Sequence, residues 1–144
     1  MKLLTLFFAL AGFYCGAQNL TLKEKQAIAE LDFGWSEKRI FDNYGTAVKI
    51  ELNKSSFAGD MDAILYADSR GAQIAANAIA RVCDNKLGKD ALREKKVSTV
   101  ILVNDKADAP KVKIDKGVMT LTIGFSGDNY FSEADLREAI ENLL

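Results

Sequence analysis

Apolar residues recur along this chain in two rhythms, one of three and four residues and one of two, and the switches between them outline the elements. Thr21 followed by Glu24 is a capping-box start, after which Ala27, Ile28, Leu31 and Trp35 recur at helical spacing. A first helix is therefore predicted from about Leu22. It runs through Ile40 and Phe41 to Tyr44, where Gly45 supplies a stop, unless residues 32–34 kink or divide it. Residues 46–52 then alternate, with Val48, Ile50 and Leu52 on one side and Ala47, Lys49 and Glu51 on the other, as in a strand with one buried face.

Residues 60–83 are rich in alanine and lack proline, and Ile64, Gly71, Ile74, Ala78 and Val82 return at near-helical intervals. One long central helix is predicted, with Arg70, Asn77 and Arg81 on a side that faces water. The small residues Ala67, Gly71, Ala75 and Ala78 suit packing on a sheet, with a ligand groove as the alternative. A short helical piece over residues 90–95 precedes Val97, Val100, Ile101, Leu102 and Val103, the most strand-like run in the chain. The asparagine, aspartates and single proline of residues 104–110 mark a loop. Residues 111–114 and 118–125 alternate around Asp115, Lys116 and Gly117, so that Val112 and Ile114 face the way Met119, Leu121, Ile123 and Phe125 do. This is a β-hairpin. Ser132 with Asp135 opens a last helix whose stripe is Leu136, Ile140 and Leu143.

The order is αβα(α)βββα, and it predicts a single two-layer α+β domain over residues 18–144. An antiparallel sheet of about four strands would carry helices on one face. The core would draw on Val48, Ile50, Leu52, Ile64, Ile74, Ile79, Val82, Val100, Leu121, Ile123, Leu136 and Ile140. The opposite face of the sheet would then present Lys49, Glu51, Lys111, Lys113, Thr120 and Thr122.

Before that domain stand a positive Met1-Lys2 start and an apolar run over residues 3–14, with Cys15 and Ala17 at the small-residue positions of a cleavage site. Residues 1–17 are expected to be a Sec signal peptide cut after Ala17, giving a secreted or periplasmic chain. The apolar run is shorter than the roughly 20 residues a bilayer crossing needs, so no membrane span is expected after cleavage. Lipidation at Cys15 is disfavoured by the bulky Phe13 and Tyr14 before it. Cleavage also leaves Cys83 as the one thiol, which rules out an intramolecular disulfide. A buried small hydrophobe is the expectation for it, and a reactive thiol offered to a partner is the alternative.

Three strings, Arg81-Val82-Cys83-Asp84, residues 90–95 and residues 116–122, resemble an uncharacterised family of small exported bacterial proteins. The similarity spans residues 46–144. It implies export and a compact fold, and carries no activity.

Composition narrows the chemistry. With 19 basic and 20 acidic side chains, the chain has no electrostatic pull toward nucleic acid. With no histidine, it has no Ser-His-Asp or Cys-His system and no His-liganded zinc. Its glycines are dispersed, so no phosphate cradle forms, and no cofactor is expected. Ser55, Ser56 and Ser98 stand near Lys54 and Lys96 without the spacing of a Ser-Lys dyad. Asp60 and Asp62 fall where a helix starts, and Asp105 and Asp108 fall in a loop without an EF-hand pattern.

The expected function is therefore a non-enzymatic binding domain, monomeric, whose partner is an envelope protein or glycan. The alternative is a hydrolase using paired carboxylates or a divalent metal held by some of Asp60, Asp62, Asp105, Asp108 and Asp128. The site expected on the open sheet face comprises Lys49, Lys111, Lys113, Thr120 and Thr122. Three lysines could meet an acidic glycan or a protein carboxylate there, and a merely solvated face is the competing account.

Overall fold

The computed structural model describes residues 19–106 and 109–144, so the leader expected over residues 1–17, with Cys15, and Asp108 lie outside the described residues. Thr21 forms the capping box of α1 (Leu22–Ala29): its Oγ1 accepts from the Glu24 amide, and the Thr21 amide donates to Glu24 Oε2 at 2.7 Å. The first helical region is divided. After Glu30 the chain leaves helical geometry, Asp32 Oδ1 takes the Gly34 amide at 2.8 Å, and α2 (Gly34–Tyr44) starts afresh. Gly45, at φ 81°, ends it in the left-handed conformation.

After β1 (Lys49–Leu52) and a 3₁₀ turn (Lys54–Phe57), the central helical region starts at Asp60, whose side chain caps α3 (Met61–Tyr66). It then passes through a π-helical turn (Ala67–Ala72) before resuming as α4 (Gln73–Cys83). Within the π turn the helix lies close against the sheet. A Cβ on Gly71 would lie 2.5 Å from Phe125 Cε1 and 3.1 Å from Leu102 Cδ1, so only glycine fits there. A widened turn changes which face later side chains occupy, and the polar side expected of this helix is corrected accordingly. Arg81 is exposed, whereas Arg70 and Asn77 are half-buried and hold partners.

The chain continues through α5 (Lys86–Glu94), β2 (Thr99–Asn104), β3 (Lys111–Asp115), β4 (Val118–Ile123) and α6 (Glu133–Glu141). The α+β class holds, and the antiparallel sheet is corrected to a mixed one of order β1-β2-β4-β3. β1 pairs with β2 and β2 with β4 in parallel, and only the β3–β4 hairpin is antiparallel. The physical reason is the long helical connection between β1 and β2, which carries the chain back to the end where β1 began. β3 then runs down the far edge, and β4 fills the gap between it and β2. Lys116 and Gly117, at φ 48° and 80°, form the hairpin turn.

Ile50, Val100, Leu102, Met119, Leu121 and Ile123 point to one side and are buried with Ile40, Ile64, Ile79, Leu92, Leu136 and Ile140 of the helices. Leu52 and Ile74, expected in the core, pack half-buried at its margin. At the carboxyl ends of the strands, the Phe57 and Phe125 rings meet with centroids 5.0 Å apart.

Candidate functional site

Strand register fixes what the other side of the sheet displays. One row across it reads Lys49, Thr99, Val118, Asp115; the next reads Glu51, Ile101, Thr120, Lys113; and a third holds Val103, Thr122 and Lys111. None of these eleven residues is buried: the charged ones are exposed, and the threonines and aliphatics of β2 and β4 are half-buried. The face is thus an apolar and hydroxyl-bearing centre between two charged rims.

Of the site expected from sequence, Lys111, Lys113, Thr120 and Thr122 come together. Lys111 pairs with Thr122 and Lys113 with Thr120 in the hairpin register. With Val112 they line a shallow concavity of about 240 Å³. Lys49 shares the face and not the place. It stands on the opposite edge, its Nζ 3.5 Å from Glu37 Oε1.

The carboxyl ends of β1, β2 and β4 are where parallel sheets commonly hold ligands, and here that edge is closed by side chains. Asp60 Oδ1 takes the Ala63 amide at 3.1 Å. Its Oδ2 takes Asn104 Nδ2 at 3.1 Å, Ser126 Oγ at 3.0 Å and the Lys106 ammonium at 2.9 Å. Asn104 Oδ1 accepts the Phe125 amide, and Ser56 Oγ accepts the Asn104 amide. Burial pushes the Asp60 carboxyl up, but Lys106, the Ala63 amide, Asn104 and Ser126 outweigh it and hold it below the ordinary aspartate range. A carboxylate so fully engaged, with a lowered pKa, is a poor general base, since that task needs a pKa near the working pH. The Ser126 hydroxyl beside it is a donor in this clasp, to the same oxygen that holds Asn104 and Lys106.

Neighbouring groups extend the clasp. Glu24, in addition to its role in the capping box, accepts the Gly59 amide at 2.8 Å and so ties α1 to the turn before α3. The Thr21 amide holds the Glu24 carboxyl below its usual range, against partial burial and with help from Gly59. Arg70, from the π turn, donates to the carbonyls of Phe125 and Gly127 at 2.7 and 2.9 Å. Its guanidinium lies between the Tyr66 and Tyr130 rings, 3.9 and 4.8 Å from their centroids. Sequence reading missed both arrangements. The cap at Asp60 was visible locally, whereas Asn104, Lys106 and Ser126 reach it only through the fold.

Asp62 and Asp128 are exposed, and among the described residues no three acidic or cysteine side chains converge to hold a metal ion. Ser55 and Ser56 bond to Asn53. Cys83 is half-buried where full burial was expected. Burial raises its pKa, Lys89 and Arg93 pull it back, and Asp84 raises it further. Among the described residues no helix is long and apolar enough to cross a membrane. No family model matches the chain, and neither does any curated protein or solved structure.

Proposed function

We propose that the chain is an exported, non-enzymatic binding domain that docks an acidic partner, an envelope protein or glycan, on the open face of its sheet. The observation that carries this reading is the one-sidedness of the sheet: helices bury one face, and the other is left with Ile101, Val103 and Val118 between charged rims. Rigid strands present Lys111 and Lys113 beside the hydroxyls of Thr120 and Thr122, which both donate and accept. The export half of the proposal rests on the leader pattern of residues 1–17 and on the resemblance to small exported bacterial proteins. The hydrolase alternative loses its best-placed carboxylate, because Asp60 is committed to four donors.

Titration of dilute protein with an acidic peptide and an acidic oligosaccharide, followed by backbone amide shifts, tests the reading. Shifts are expected at residues 111, 113, 120 and 122. They should vanish in Lys49→Glu/Lys111→Glu/Lys113→Glu, whose stability should stay within about 1 kcal/mol of the parent because the substitutions are exposed. Shifts confined to other surfaces, or no shifts with either ligand, refute it.

A further inference from the structure

We infer that the partner of this face is a second copy of the chain, packed sheet to sheet about a two-fold axis that runs along the strands. The inference rests on the docking-face reading above, and it comes from the order of charges across the rows. A two-fold axis parallel to the strands keeps each row opposite itself and exchanges the two edges, so β1 of one copy lies over β3 of the other. Row by row, Lys49 then faces Asp115 of the second copy, and Glu51 faces its Lys113. Both contacts occur twice by symmetry, and all four are between opposite charges.

The centre matches as well. Ile101 lies over Thr120, and Thr99 over Val118, so side chains of moderate size meet across the roughly 10 Å that separates packed sheets. The other in-plane axis, across the strands, sets Glu51 over Glu51 and Lys113 over Lys113. Charge therefore selects one orientation, as isologous interfaces require self-complementarity.

Size sets the strength. Eleven residues at sheet spacing cover roughly 350 Å² of flat area, less than half the roughly 800 Å² per partner of a standard stable interface. The dimer belongs to the weak class, with a dissociation constant expected in the micromolar range or weaker. The charged rims make it sensitive to salt. Lys49 already lies 3.5 Å from Glu37, so the contact between Glu51 and Lys113 is the one to probe.

Sedimentation velocity over a wide concentration range, at low and high salt, gives the reading. Dimer is expected at low salt and less of it at high salt. Lys113→Glu and Glu51→Lys, taken singly, should each weaken association about tenfold or more, since each sets like charges face to face twice. The double variant Glu51→Lys/Lys113→Glu should return to within about threefold of the parent, a recovery that separates pairing from loss of fold. A monomer at every concentration overturns the inference, as does a Glu51→Lys variant that dimerises unchanged or a double variant that stays monomeric. If the parent is monomeric yet acidic ligands still shift residues 111, 113, 120 and 122, self-pairing fails while the docking face stands. If neither occurs, both fail.

Discussion

Replacing Asp60 by asparagine exchanges one carboxylate oxygen for an NH₂ group in a place where the two oxygens accept from four donors. The side chain is 9% exposed, and its two oxygens together accept from the Ala63 amide, Asn104, Ser126 and Lys106. An amide must give up part of this whichever way it turns. With its oxygen toward Ala63, the helix cap survives, but the NH₂ faces Asn104 Nδ2 and Lys106 Nζ, both donors only. Ser126 can rotate to accept, and Lys106, 61% exposed, returns to water at little cost. Asn104 Nδ2 keeps its longer contact to Ser56 O. With the oxygen the other way, the cap is lost, worth about 1 kcal/mol, and the bonds to Asn104 and Lys106 lose their charge.

A hydrogen bond to a charged group contributes about 1.5–3 kcal/mol net, so Asp60→Asn should cost about 2 kcal/mol at neutral pH. Asp60→Ala, which also loses the cap, should cost about 3–4 kcal/mol. With a urea slope of about 2 kcal/mol/M, the asparagine variant's midpoint falls by about 1 M. The pH dependence adds a second check. Asp60 titrates lower in the folded chain than in the unfolded one, so its contribution is complete above the ordinary aspartate pKa. That contribution is lost as the pH falls through the lowered value. The gap between parent and variant should therefore close in acid. An unchanged midpoint at neutral pH, or a gap of constant size down to acid pH, would refute the account of Asp60 as an ionised clasp.

Gly71→Ala should lower the thermal midpoint, because the new methyl meets the Phe125 ring and Leu102, both fully buried; overpacking of this kind costs about 1–3 kcal/mol. An unaltered melting curve would mean that the π turn shifts freely and that Gly71 does not govern the helix-to-sheet approach. Cys83 should react with a thiol reagent more slowly than a free cysteine at neutral pH, with the gap narrowing as the pH rises through its elevated pKa. Rapid labelling, or a disulfide-linked dimer on a non-reducing gel, would instead make Cys83 a candidate contact for a partner.

Local signals in the sequence proved legible, and relations between distant segments did not. The cap at Thr21, the stop at Gly45, the hairpin turn at Gly117 and the cap at Ser132 all depend on residues within four positions of one another, and all are present. Alternation likewise assigned Lys49, Lys111 and Lys113 to the correct face. It could not place them along that face, because period two fixes the side of a strand and says nothing of its neighbours. Strand order put β1 and β3 at opposite edges. The parallel pairing of β1, β2 and β4 escaped for the same reason. Arg70 was assigned to water on a regular 3.6-residue period, and the π turn breaks that period at the position that matters. The Asp60 clasp joins residues 44 and 66 positions apart, a separation at which a single sequence carries no pairing signal.

The two edges of the sheet bear on which kind of assembly is open to it. An unpaired strand edge invites addition of another strand, and proteins commonly blunt such edges with short strands, lysines and proline. β1 has four residues, with Lys49 and Glu51 alternating along it. β3 has five, carries Lys111, Lys113 and Asp115, and follows directly on Pro110, which has no amide hydrogen to donate. Growth of the sheet sideways would bring these charges against an incoming strand. The face between the edges has no such guard, since its centre is Ile101, Val103, Val118 and three threonines. Among the described residues, the charges that discourage edge pairing therefore stand as a rim around a half-buried apolar and hydroxyl-bearing centre. Opposite signs at the two ends of each of the first two rows, Lys49 with Asp115 and Glu51 with Lys113, then favour an orientation in which strands lie over strands, with neither edge extended.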